Sequence, residues 1–267
     1  MVEIIQGTVY SGDSSENLLL AKELCEALVD NCNLTVVGEE DTALKYSATL
    51  LYPDGFRAIQ ITMENTEGGT TSAYTVSDGY YSEEVYHSSY TYTSTIYNAN
   101  TSTPTREFAL YVVNEGCCFY FKVSGATRGS GAYQGYRHTS SLEIISESSI
   151  KYYAIAYSDS YAMLSHYTVH PYIISPEQRY ALQYPADQGN LNFGRIAEDN
   201  NTIAFPWIFF VQANDITLGV PTIGGKKVYK ILYRPSSPGT SVGVFEEVTI
   251  GDKRFVCLGQ NFIIESD

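Results

Sequence analysis

The sequence predicts a mainly β protein, with mixed, largely antiparallel sheets and one N-terminal helix packed on them; α+β is the alternative class. Three observations predict it. From Leu34 onward, apolar residues alternate with period two in paired segments joined by turn chemistry. Tyrosine is abundant, at 24 of 267 residues, and its ring suits a pleated, half-buried surface. One stretch alone, near the N-terminus, repeats apolar residues at clear helical spacing.

A short strand around Glu3–Tyr10 opens the chain. A helix follows over about 14–30. Asp13 can cap it, and Glu16 stands at the reciprocal capping position. Leu20, Leu24, Cys25, Leu28 and Val29 form its apolar stripe, widened at the start by Leu18 and Leu19. The runs 44–52 and 56–63 flank Pro53-Asp54-Gly55, where proline presets φ and glycine accepts a positive one, so they read as a hairpin. Phe108–Val113 and Cys117–Val123 read as a second hairpin, and Val242–Ile250 with Arg254–Leu258 as a third. Ser124–Ser141, with four glycines, reads as a surface loop. Ser149–Tyr157 fits a strand or a helix, and Ile203–Ala213 a buried strand with Pro206 at an edge or bulge. Lys227–Tyr233 and Asn261–Ile264 complete the strands.

No linker cuts the chain, so 1–267 reads as a single globular body. Residues 64–105 form a long insertion or arm within it, rich in Tyr, Ser and Thr. Seven tyrosines lie between Tyr74 and Tyr97, and six of the eight residues 88–95 are Ser or Thr. Flexible linkers have no use for so many large rings, and Tyr90-Thr-Tyr92-Thr alternates as an extended strand does.

The formal charge of −14 repels phosphate, and the small group Lys226, Lys227, Lys230 and Arg234 makes no basic patch, so no nucleic-acid partner is expected. The most apolar run, Phe205–Val211, is seven residues long, against the ~20 that a membrane helix needs, so no membrane partner is expected either. Met1-Val-Glu-Ile-Ile lacks a basic leader, so no secretion signal is expected in this chain. The five cysteines are odd in number and show neither disulfide nor zinc spacing, which suits thiols kept reduced.

Catalytic patterns are missing. Ser130 between Gly129 and Gly131 lacks the strand-to-helix setting of a nucleophile elbow, and Cys117 and Cys118 begin an apolar strand where packing is their ordinary role. His166 and His170 are four apart, but on a strand that spacing is about 13 Å, too far for one ion. The aspartates do not group into a calcium loop, and Gly219–Lys227 has the wrong spacing for a phosphate loop. The expectation is a non-enzymatic chain with no cofactor, no metal and no catalytic residue.

Surface chemistry remains. Tyrosine with Ser, Thr and Gly makes adaptable contact surface at low entropic cost. The candidate interface or binding residues are therefore Tyr74, Tyr80, Tyr81, Tyr86, Tyr90, Tyr92 and Tyr97. A second cluster, including Tyr133, Tyr136 and Tyr152, is the other candidate. Exposed rings could serve instead to stack on a glycan, while the ordinary role of such rings is sheet packing.

The acidic, Tyr/Thr/Ser-rich, β-dominated composition, with the terminal hairpin Val244–Leu258 followed by Asn261-Phe-Ile-Ile264, resembles structural (virion) proteins of tailed bacteriophages or prophages. That resemblance implies many copies assembled by symmetry in the host cytoplasm into a head, connector or tail component. The implied partners are further copies and other structural proteins. The alternative is a carbohydrate- or surface-binding β module, and the third reading is an enzyme of another kind.

Overall fold

The computed structural model describes residues 2–7, 10–11, 15–97, 105–113, 116–128, 131–145 and 151–160. Beyond these it describes 168–169, 172–174, 179–183, 197–198, 202–206, 209–211, 216–219, 222–223, 225–233, 245–259 and 262–266, with side chains for part of the whole. The protein is mainly β, its registered strand pairs are antiparallel, and its one described helix is N-terminal. The chain divides into two compact units, residues 1–139 with 159–165, and residues 140–158 with 166–267.

The first unit begins with β1 (Val2–Gln6), β2 (Tyr10–Ser11) and α1 (Ser15–Cys32). A five-stranded antiparallel meander follows: β3 (Thr35–Asp41), β4 (Lys45–Leu51), β5 (Arg57–Asn65), β6 (Thr71–Ser82) and β7 (Val85–Tyr97). Then come β8 (Thr105–Val113) and β9 (Gly116–Arg128). β8 pairs with β9 on one side and with β1 and β2 on the other.

The register explains the core. Tyr46–Met63–Tyr74, Ala48–Ile61–Val76 and Leu50–Ile59 are cross-strand rows on one face of the meander, and all eight side chains are buried. α1 packs against β4, β5 and β8 with Leu20, Leu24, Cys25 and Leu28 buried, the stripe the spacing predicts. Leu19, off that stripe, is half exposed. Burial of a leucine or isoleucine side chain stabilises by about 1.5–3 kcal/mol, so these rows dominate the energetics of the unit. Polar anchoring adds direction. Asn17 Nδ2 donates to Ser72 Oγ at 2.7 Å, and Ser72 Oγ donates to Asn65 Oδ1 at 2.6 Å, with all three side chains buried. This chain ties the first turn of α1 to the β5–β6 connection.

The second unit includes the end of β10 (Gly131–Ile145) and most of β11 (Lys151–Ser160). Short strands follow: β12 (Thr168–Val169), β13 (Tyr172–Ile174), β14 (Arg179–Gln183), β15 (Ala197–Glu198), β16 (Thr202–Pro206), β17 (Phe209–Val211), β18 (Ile216–Gly219) and β19 (Thr222–Ile223). The last are β20 (Lys226–Tyr233), β21 (Glu247–Ile250), β22 (Lys253–Gly259) and β23 (Phe262–Glu265). One sheet runs β15–β16–β20–β23–β22–β21. Its core is Tyr229, Ile250, Phe255 and Ile263, with Val248 packed against it and the Tyr229 and Phe255 rings edge to face at 6.2 Å. The terminal hairpin β21–β22 turns at Gly251, whose φ is +63°.

One expectation fails outright. Residues 124–141 are not a surface loop: β9 continues to Arg128, and β10 starts at Gly131. Glycine is a breaker by propensity, but Gly125 and Gly135 sit inside strands, and in β10 Tyr133, Tyr136 and Thr139 supply strand-forming side chains. The segment open to two readings, 149–157, is strand β11 over its described residues.

Candidate functional site

The tyrosine-rich arm is the hairpin β6–β7, the two strands at one side of the meander. Its turn, Glu83-Glu84, is a two-residue loop with both φ values positive, at 52° and 60°, the geometry whose twist matches the flanking strands. A bulge lies opposite Asp78 and Gly79, where β7 carries Ser89 as an extra residue. Gly79 is required there, because a Cβ would stand 2.1 Å from the His87 carbonyl oxygen.

The hairpin places the seven tyrosines unequally. Tyr74 is buried in the core row with Met63 and serves the body rather than a surface. Tyr80 is half-buried between two rings. Phe56 stacks on it from the β5 side at 5.3 Å and His87 from the β7 side at 4.8 Å, so neither of its faces is open to a sugar. Tyr81 pairs with Tyr86 across the hairpin, and the Tyr86 hydroxyl donates to the Ser77 carbonyl oxygen at 2.8 Å. Tyr90, Tyr92 and Tyr97 occupy β7 positions opposite Asp78, Val76 and Thr71; their side chains lie outside the described residues, as do those of Tyr133, Tyr136 and Tyr152.

Phe56 belongs to the adjoining β4–β5 turn. There Asp54 Oδ1 accepts the backbone N–H groups of Phe56 at 2.8 Å and Arg57 at 2.7 Å, which shapes the Pro53-Asp54-Gly55 turn. The Arg57 guanidinium lies over the Tyr52 ring at 3.7 Å and 3.5 Å from Asp54. The Phe56 end of the ring stack is thus fixed by the β4–β5 turn, and its His87 end by the register of β7 on β6. Sequence reasoning did not select Phe56, Arg57 or His87, since their meeting depends on registers across three strands.

The face of the meander opposite α1 is a hydroxyl and amide surface. Ser47 bonds Thr62 at 2.7 Å, the Gln60 amide donates to Thr49 at 3.1 Å, Thr75 bonds Thr93 at 3.0 Å, and Ser77 bonds Ser88 at 2.7 Å. Thr91 and Thr93, on the outermost strand, are exposed.

The two edges of this sheet differ. β3 carries Glu39, Glu40 and Asp41, three acids in seven residues, all exposed. Lys45 pairs with Glu40, and Lys22 of α1 with Asp41 at 2.8 Å. β7 has no Asp, Glu, Lys or Arg in thirteen residues, and among the described residues it pairs with β6 alone. A long strand of that kind offers its free backbone groups to an added strand, whereas charges blunt such an edge.

Elsewhere the chemistry is quiet. Cys25, Cys32 and Cys257 are free, buried thiols, and burial pushes Cys25 up to about 12. Cys117 and Cys118 lie in β9 with side chains outside the described residues, as do His166 and His170 entirely. Among the described residues no three His, Cys, Asp or Glu side chains gather as metal ligands, and no helix is long and apolar enough to cross a membrane. No family model, curated protein or solved structure matches the chain.

Proposed function

We propose that this protein is a non-enzymatic structural subunit that assembles by adding a strand at β7. The observation that supports the reading is the contrast between the two edges of the meander, one studded with acids and the other thirteen residues long without a charge. The setting proposed is a particle of a tailed phage or prophage, as a head, connector or tail component formed in the host cytoplasm. It rests on the composition and on the terminal β21–β22–β23 sequence. Partners would be further copies and other structural proteins. Glycan binding by the arm is the weaker reading, because Tyr80 has rings on both faces.

Light scattering behind size-exclusion chromatography, across micromolar concentrations, tests the assembly reading. A defined oligomer, or mass that grows with concentration, is expected. A 29.6 kDa monomer at every concentration and salt would overturn it.

A further inference from the structure

The assembly reading leaves the partner at β7 open, and the hairpin's own geometry narrows it. In an antiparallel sheet, successive residues of a strand direct their backbone groups alternately to one neighbour and the other. The Tyr81 N–H bonds the Phe56 carbonyl at 2.8 Å, and Thr66 N–H bonds the Thr71 carbonyl at 3.0 Å. Odd-numbered residues of β6 therefore face β5, and even-numbered ones face β7. The β7 partners of those even residues are Tyr90, Tyr92, Ser94 and Ile96. It follows that Thr91, Thr93 and Thr95 turn their N–H and C=O groups away from the sheet.

From this alternation we propose that the occupant is a second copy of this chain, its β7 antiparallel to the first about a two-fold axis at Thr93. This rests on the assembly reading above and names its partner. Charge selects the copy. Two chains of −14 repel wherever their acids meet, and β7 is a strip where a like-charged chain can approach without placing acid against acid. A basic partner would gain nothing from an uncharged edge.

Register follows from the side chains. A two-fold at Thr93 sets Thr91 against Thr95 of the other copy and Thr93 against itself, so threonine meets threonine three times, a favourable cross-strand pair. α1 packs on β4, β5 and β8 rather than on the edge strand, and of the other elements β9 comes close to part of β7 without pairing with it. The joined ten-stranded sheet would end at both sides in β3, whose Glu39, Glu40 and Asp41 resist further addition. The pairing is therefore isologous and closed, giving a dimer and not a fibre.

Two variants test it on the full chain. Thr93→Pro removes an outward N–H and no backbone bond to β6, a position an edge strand accepts; the one contact with β6 it takes away is the exposed hydroxyl bond to Thr75. At concentrations where both chains are monomeric it should keep the intact chain's melting temperature, and it should weaken dimerisation by roughly tenfold or more. Thr93→Cys should form a disulfide-linked dimer under mild oxidation. Thr91→Cys should not, since its own copy lies four residues out of register, about 13 Å away and beyond disulfide reach. The unsubstituted chain controls for the native thiols.

Association of folded Thr93→Pro equal to that of the intact chain, or equal cross-linking of Thr91→Cys and Thr93→Cys, would overturn the pairing while assembly itself stood. A chain monomeric at all concentrations would overturn both. If Thr93→Pro fails to fold, the two cysteine variants decide the matter alone.

Discussion

Ser72 is a small side chain in a demanding place. Its hydroxyl receives the Asn17 amide and donates to Asn65, with no exposed surface on Ser72 or Asn17. Ser72→Ala takes both bonds away without opening a path for water. Leaving buried groups short of a partner costs about 1–3 kcal/mol, and a urea titration should read a loss of that size. Cys25 gives the second residue-scale expectation. Its ordinary pKa of 9.0 is raised to about 12 in the fold by burial, against a hydrogen bond from Tyr46 that works the other way. Above pH 9 the unfolded thiol ionises while the folded one keeps its proton, so the unfolded chain binds fewer protons. The stability contributed by this thiol is complete below pH 9 and is lost as pH rises toward 12. Urea midpoints measured at pH 8, 9.5 and 11 should fall in that order, and Cys25→Ala should flatten the slope. An unchanged slope in the variant would assign the effect to other groups.

At the scale of elements, α1 and the hairpins with distinct turn residues were legible in the sequence because their signals are local. The stripe Leu20, Leu24, Leu28 is a property of neighbours on one helix, and Pro53-Asp54-Gly55 announces its own turn. The β6–β7 hairpin was legible only as an extended, tyrosine-rich excursion. Its turn is Glu83-Glu84, and neither residue favours the positive φ it adopts. That mismatch makes a prediction: Glu84→Gly should relieve the strain and stabilise the protein by about 0.5–1 kcal/mol, read as a higher urea midpoint. Glu84→Val should do the opposite. The ring stack Phe56–Tyr80–His87 was illegible for another reason. Its members are 24 and 7 residues apart and meet only once three strands are in register, and period-two patterning names a face without naming the neighbour. The uncharged edge strand was half legible, since Thr91, Thr93 and Thr95 stand at alternating positions in plain sight. Which backbone groups point outward required the pairing with β6.

At the scale of the whole molecule, net charge and edge chemistry act in opposite senses, and ionic strength separates them. Two copies at −14 repel through their general field, which reaches about 30 Å at 0.01 M salt and about 3 Å at 1 M. The contact at β7 would be made of backbone hydrogen bonds and hydroxyls, which salt scarcely screens. Raising sodium chloride from 0.01 to 0.5 M should therefore strengthen self-association, shifting the monomer–dimer midpoint to lower protein concentration. An interface built on ion pairs would weaken over the same range, because salt would then screen attraction as well as repulsion. Sedimentation equilibrium at three salt concentrations distinguishes the two. A midpoint that rises with salt would move the contact away from β7 and toward the charged surface, where Lys22, Lys45 and the acids of β3 lie together. A midpoint that falls would leave an uncharged strand edge as the place where two acidic chains can meet.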